Sequence, residues 1–211
     1  MKNIIISMDG PAGSGKQRIA KYIAKKYKLY HLDSGNLYRR LAYIFTKKKI
    51  NIKKNDQIYK IIKSIKILSS RGNKILRREK ISLISSQIAK LQIVRNFINI
   101  QQKKIVKNKI KDHKGVVIDG RDIGSKVFKN AKIKLFIQVS PEIRAKRRHK
   151  QLIELGEKSI YAKILKEMNL RDKVDMNRKE SPLIVPNDAY IIDNSHSFKT
   201  TIKQINKFIK R

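Results

Sequence analysis

Ile4-Ile5-Ile6-Ser7-Met8-Asp9-Gly10-Pro11-Ala12-Gly13-Ser14-Gly15-Lys16 is the stretch that decides the fold. A short apolar run enters a loop with three glycines and ends at a lysine, and helix-forming residues follow at once. The glycines free the backbone to curl around an anion, so that successive N–H groups point inward. The N-terminus of the following helix adds positive potential, and Lys16 adds a mobile full charge. A Gly/Lys match alone means little. With the apolar lead-in, the spacing and the helix behind it, the stretch predicts a phosphate-binding loop for a nucleoside triphosphate. Gly10, Pro11, Ala12, Gly13, Ser14, Gly15 and Lys16 are its expected contacts to ATP, with Gln17 and Arg18 behind them. The general pattern places Ser or Thr after the lysine to hold Mg²⁺, whereas neither Gln17 nor Arg18 carries a hydroxyl. Ser14, a water or nearby carboxylates would then take that role, since Mg²⁺ usually keeps several waters.

Outward from this loop, apolar β-branched runs alternate with helical stretches. The runs are Ile4–Met8, Val116–Asp119, Ile133–Val139 and Ala189–Asp193, with the shorter Leu29–Leu32 as a further strand. Near-continuous apolar strands separated by helices predict an α/β fold, a parallel sheet covered on both faces. Helices are expected at Lys16–Tyr27, Gly35–Lys47 with Ser34 as N-cap, Tyr161–Arg178 and Ser197–Lys210. Ser82–Lys111 reads as one long amphipathic helix or two. Ser140-Pro141 opens another helix, which Gly156 ends. Residues 50–81 are the least regular. There Arg71-Gly72-Asn73 signals either a small inserted hairpin or a turn within continued helix.

At 211 residues the chain fits one domain, 1–211, with a small insertion. Cysteine is absent, which excludes disulfides and thiolate metal sites and suits a reducing cytoplasm. No run of about 18 apolar residues exists, so no membrane span is expected. A strand beginning within three residues leaves no room for a signal peptide, and a cytoplasmic protein is expected. Charge is extreme, with 52 Lys+Arg against 16 Asp+Glu and a net +36. Such an excess draws in anionic nucleotides and predicts non-specific nucleic-acid adhesion. The lysines are nevertheless scattered through the chain, aromatic residues are few and no stacking motif accompanies the basic runs, which speaks for compositional bias over a dedicated nucleic-acid surface.

Four further segments carry chemistry. His31–Arg40 follows the second strand, at the sheet edge where doubly wound folds bind ligands. In Val116–Gly124 a strand delivers Asp119, placed like an acid that holds Mg²⁺ through water. Arg121 beside it offers a planar fork for phosphate, and Asp122 an acceptor for a base. Arg144–Lys150 is a dense basic cluster, either a solvated helix face or a lid over a triphosphate. Arg171, Asp175 and Arg178 fall on one helical face, suited to a sugar phosphate or to a surface ion-pair ladder.

Taken together, Asp9–Lys16, Leu32–Arg39, Ser86–Ala89 with Val94-Arg95, Asp119–Gly124, Arg144–Leu152, Arg171–Arg178 and Ala189–Asp193 resemble the bacterial cytidylate kinases, of the nucleoside monophosphate kinase group. They occur in that family's order over nearly the whole chain. The resemblance implies a five-stranded parallel sheet with helices on both faces. It also implies a monophosphate-binding region at about 34–100 and a helical lid at about 144–178. The reaction implied is transfer of the γ-phosphoryl group of ATP to CMP or dCMP, with Mg²⁺, in pyrimidine nucleotide metabolism. By the same resemblance, Lys16, Asp119, Arg121 and Arg178 are catalytic, and Arg147 and Arg148 belong to the lid over ATP. Ser34, Tyr38, Arg39, Arg121, Arg171, Asp175 and Arg178 would surround the acceptor, and Ser86, Arg95 and Asp122 would read cytosine. A monomer is implied as well. Gln17-Arg18 stands where the family usually has Gly-Thr. Val174 stands for an arginine, Lys126 takes a normally apolar place, and the segment before Ser86 is shorter than in many members. The alternatives are a kinase for UMP or AMP, or a basic RNA-binding protein on a kinase fold.

Overall fold

A computed structural model of the chain describes residues 3–209. Five strands form one sheet: β1 (Ile4–Asp9), β2 (Tyr30–Asp33), β3 (Gly115–Asp119), β4 (Ile133–Gln138) and β5 (Tyr190–Asp193). Their order is β2-β3-β1-β4-β5, and every pairing is parallel. The α/β reading with helices on both faces is borne out. Among the described residues eight α-helices surround the sheet, some packed on it and some on other helices: α1 (Lys16–Tyr27), α2 (Ser34–Lys47), α3 (Asn55–Ser64), α4 (Glu79–Ile88), α5 (Gln92–Asp112), α6 (Pro141–Glu154), α7 (Tyr161–Asn177) and α8 (Phe198–Ile209). The predicted end of the last helix, Lys210, lies outside the described residues.

Alternation along β3 divides the core into two layers. Val116 and Ile118 face a cluster with Leu37, Leu41 and Phe45 of α2, Ile58 of α3 and Ile98 of α5. Val117 faces the opposite cluster, with Ile6 and Met8 of β1, Ile19 and Ile23 of α1 and Ile205 of α8. Parallel pairing brings the carboxyl ends of the strands to one edge. There Asp33 pairs with Asp119, and Met8, the residue before Asp9, also pairs with Asp119. Three acidic residues thus meet where the loop after β1 begins.

Several local expectations are corrected. Asp33, not Ser34, caps α2: its Oδ1 accepts from the Asn36 backbone N–H at 3.1 Å, while Ser34 is already the first helical residue. A carboxylate at the strand end reaches that donor from outside the helix, as an N-cap must. Residues 82–111 form two helices, broken at Ala89–Leu91, where Leu91 is extended. Residues 65–76 form neither hairpin nor continued helix; the chain runs irregularly to a single 3₁₀ turn at Lys74–Arg77. A side chain does the work of a partner strand there. Gln101 of α5 accepts from the Leu68 N–H at 2.9 Å and donates to the Lys66 carbonyl at 3.3 Å, while Leu68 and Leu76 bury inward. Gly156 does end α6, at φ +74, with the Gly156 and Glu157 N–H groups closing on the Ile153 and Leu152 carbonyls. Lys126 is exposed, so its charge costs the core nothing. Among the described residues no helix is long and apolar enough to cross a membrane.

Leu41 is 0 % exposed, between the sheet and the helices beyond α2. Leu41→Ala is expected to lower unfolding stability by about 2–5 kcal/mol through lost burial and a residual cavity, read as a shift of the urea midpoint at unchanged slope.

Candidate active site

The loop between β1 and α1 is held from three sides. Gly10 has φ +150, and a Cβ there would stand 2.4 Å from the Ile137 carbonyl oxygen of β4. Only glycine accepts both that backbone and that approach. From β5, Asn194 donates to the Ser14 carbonyl at 2.8 Å and is itself oriented by the Thr201 hydroxyl at 2.8 Å. From α6, Arg144 donates to the Ala12 carbonyl at 2.9 Å and the Val139 carbonyl at 3.0 Å, and forks onto both oxygens of Asp172 on α7. Inside the loop, Lys16 donates to the Pro11 carbonyl at 2.9 Å. Burial, then the nearby Arg121 charge, pushes the Lys16 ammonium well below the ordinary lysine range. An anion bound in the loop would offset both effects. Beneath it, Asp9 accepts from the Ile123 and Gly124 N–H groups at 2.9 and 2.7 Å. Burial outweighs those bonds and raises its pKa to about 6.

Asp33 and Asp119 lie side by side on paired strand ends. Burial, then the Asp119 charge, raises the pKa of Asp33. The Asp33 Oδ2 accepts from Gln17 Nε2 at 2.5 Å, and Asp119 Oδ1 meets His31 Nε2 at 2.5 Å. An all-oxygen pair of carboxylates beside the phosphate loop fits a hydrated divalent cation shared with phosphate oxygens. Among the described residues no group of three acidic, histidine or cysteine side chains gathers into a fuller cage. Arg18 is turned away, its guanidinium 4.2 Å above the Phe198 ring.

Across the cleft stands a set of arginines with too few acids. Arg121 donates to Asp175 at 3.0 Å, and Arg178 donates to the other Asp175 oxygen at 3.3 Å. The Arg178 Nη2 is buried and finds no hydrogen-bond partner among the described residues. Burial, then Arg121, lowers the pKa of Arg171, whose charged neighbours also include Asp175 and Arg39. Burial, then Arg95, lowers that of Arg178. Arg95 itself is buried and donates to Asp122 at 2.9 Å, with its guanidinium 5.9 Å above the Tyr38 ring. Burial pushes the Tyr38 phenol up to about 12. Arg39 folds back to Asn36 at 3.3 Å, and Ser34 is buried beside Gly120. Like charges gathered in a half-dry cleft favour an anionic guest.

The structure therefore brings together Lys16, Ser34, Tyr38, Arg39, Arg95, Asp119, Arg121, Asp122, Arg171, Asp175 and Arg178. Others stand apart. Ser86 is exposed and donates to the Ser82 carbonyl of its own helix. Arg147 donates to the Ser195 and His196 carbonyls, and Arg148 to Gln151. Val174 is exposed on α7. Sequence reasoning gave no individual role to Asp9, His31, Asp172, Asn194 or Thr201, and read Arg144 only within the basic cluster, as solvated helix face or lid. Asp9 and Asn194 each follow directly on an apolar strand run, which is the signal that marks them. Arg144 had none beyond its place in a basic cluster.

The cytidylate kinase profile matches residues 6–211. A cytidylate kinase of Fusobacterium nucleatum is 37 % identical over 222 residues, covering 100 % of this chain and 97 % of that one. The chain belongs to the cytidylate kinase family. The cytidylate kinase of Rickettsia akari is 39 % identical over 210 residues, with 99 % and 93 % covered. In fold, the chain is similar to a protein of Thermus thermophilus, at TM-score 0.56 and 14 % identity over 100 % and 98 % of the chains. It is also similar to shikimate kinase of Bacteroides thetaiotaomicron, at TM-score 0.50 and 9 % identity over 99 % of each. The family and this fold make the chain an ATP-dependent phosphotransferase.

Asp9 yields a pH signature. Its folded pKa lies above the ordinary value of 3.8, so the folded state binds the extra proton between about pH 4 and 6. Stability from this group is present at low pH and falls as pH rises through that window, by about 3 kcal/mol. The stability difference between the natural chain and Asp9→Asn is expected to drift by that order between pH 4 and 6 and to stay level above pH 7, measured by urea melts at each pH.

Proposed function

We propose that this chain transfers the γ-phosphoryl group of ATP to CMP or dCMP, releasing ADP and CDP or dCDP. The observation that carries the reading is the meeting of Lys16 with Arg121 at the mouth of the phosphate loop, backed by Arg39, Arg171 and Arg178. Two polyanions must come together for this reaction, and each brings charge that the cleft is built to receive. The loop N–H groups and Lys16 hold the β- and γ-phosphates, leaving Pro11 for the incoming anion. Arg39, Arg121 and Arg178 hold the acceptor phosphate, and Asp175 orients Arg121 and Arg178 while accepting a sugar hydroxyl. An oxygen of the acceptor phosphate attacks the γ-phosphorus in line, and the bond to the bridging oxygen of ADP breaks. The acceptor oxygen is already anionic, so no strong base is needed. Mg²⁺ held at Asp119 through water would neutralise charge on the β- and γ-oxygens.

Base choice rests on Arg95 and Asp122. The pair is buried and fixed by its own ion pair, and it presents a guanidinium and a carboxylate toward the ring that Tyr38 backs. A fork of donors beside an acceptor fits the carbonyl and amino edge of cytosine. Ser86 would join only if α4 moves in. The chain acts as one kinase domain, 1–211, with its monophosphate region at about 34–100 and its lid at about 144–178. A unit charge pair at 4 Å is worth about 1 kcal/mol in water and about 4 at the edge of a protein. Closure that excludes water therefore strengthens every arginine contact and limits transfer to water.

ADP release from ATP and Mg²⁺ is expected to rise when CMP is added and to drop by at least about 100-fold in Lys16→Ala, while CMP still binds by calorimetry. Unchanged turnover in that variant would remove the assignment. Asp122→Ala is expected to narrow the preference for CMP over UMP and AMP in a coupled ADP assay; equal losses with all three acceptors would argue against base reading by Asp122.

A further inference from the structure

We infer that Gln17 is a positioning residue that withholds Asp33 from the nucleotide's divalent cation and leaves Asp119 as its single carboxylate anchor. The inference rests on the kinase reading above and deepens it. Asp33 and Asp119 are register partners on adjacent strands, so their carboxylates form a natural two-point anchor for a hydrated cation. Their hydrogen bonding differs. Both oxygens of Asp33 are engaged, Oδ1 by the Asn36 N–H at 3.1 Å and Oδ2 by Gln17 Nε2 at 2.5 Å. Asp119 uses Oδ1 toward His31, while its Oδ2 accepts no hydrogen bond among the described residues.

The donor comes from the residue directly after Lys16, on the first turn of α1. That turn is fixed against β1 and β3 by Ile19, Ala20 and Ile23, so the amide arrives at Asp33 pre-placed. Asp33 is 8 % exposed, and a charge-assisted bond in so dry a place is stronger than its counterpart in water. A carboxylate oxygen has room for a second donor, so a water of the cation's shell would have to share Asp33 Oδ2 with this amide or displace it. A glycine at position 17 presents no such competitor. Nor does Arg18 offer a ligand in exchange, since it lies over Phe198. The glutamine at position 17 therefore adds a neutral donor that competes with such a water for a carboxylate oxygen.

The test measures metal binding directly. Mn²⁺ is titrated into ADP-saturated protein and free Mn²⁺ is read by electron paramagnetic resonance, for the natural chain, Gln17→Gly and Gln17→Met, each with and without Asp33→Asn. Methionine keeps the side-chain length and removes the donor, and asparagine keeps an N-cap for α2. Both Gln17 variants are expected to bind Mn²⁺ about threefold to tenfold more tightly. Asp33→Asn is expected to change the affinity of the natural chain by less than about twofold and to erase the gain in both double variants. Unchanged Mn²⁺ affinity in both Gln17 variants overturns the inference. So does an Asp33→Asn loss in the natural chain as large as in the Gln17 variants, because Asp33 would then already be an anchor. Metal-free ADP binding by calorimetry separates the two levels. No ADP binding by the natural chain overturns the kinase reading and this inference with it, whereas equal ADP binding across the set with Mn²⁺ indifferent to Gln17 overturns this inference alone.

Discussion

The Arg144 side chain is 1 % exposed, and its guanidinium joins three parts of the chain that the backbone does not connect. It reaches the end of β4 at Val139, the phosphate loop at Ala12 and α7 at Asp172. A buried cation costs several kcal/mol unless paired with good geometry, and removing one partner of such a pair typically costs about 3–5 kcal/mol. Here the fork onto Asp172 is bidentate and two further N–H groups meet carbonyls, so the charge is well partnered. The consequence is mechanical. Arg171, Asp175 and Arg178 all ride on or just after α7, which this ion pair ties to the loop and which the Arg121–Asp175 pair and packing on α6 also hold. The phosphate loop and the arginines of α7 therefore share an anchor.

Charge elsewhere in the cleft is deliberately unbalanced. Asp175 serves two arginines at once, and Arg171 has only distant acids for partners. Each of these cations lowers the proton affinity of its neighbours, and Lys16 feels Arg121 most among its charged neighbours. On the proposed reaction, a bound phosphate would relieve this repulsion where the reacting groups meet. The surface excess of lysine works at longer range. Such an excess raises encounter rates with anions and weakens with salt.

The carboxyl edge of the sheet shows how few residues the chemistry needs. Asp9, Asp33 and Asp119 end three strands there, yet each has a different task. Asp9 holds the backbone after β3 through two N–H groups, Asp33 caps α2, and Asp119 keeps an oxygen free. Identical side chains are thus sorted by which donors reach them.

The amino-acid sequence by itself determined the strands, most of the helices and the phosphate loop. Those rest on short-range causes: an apolar run of period 2, a helical repeat, glycines at Gly10, Gly13 and Gly15. It also singled out Lys16, Arg121, Asp122 and Asp175, because each sits in a dense local pattern. Tertiary structure alone decided the partners. Arg144 stands 132 residues from Ala12 and 28 from Asp172, and nothing in the basic cluster around it marks it as the buried member. The irregular path of residues 65–73 depends on Gln101, 33 residues beyond Leu68. Ser86 looked like a base contact and lies on an exposed turn of α4 instead. Local backbone preference is a property of neighbours in the chain. Which polar group satisfies which is settled only when the sheet and helices have packed and water has been driven out.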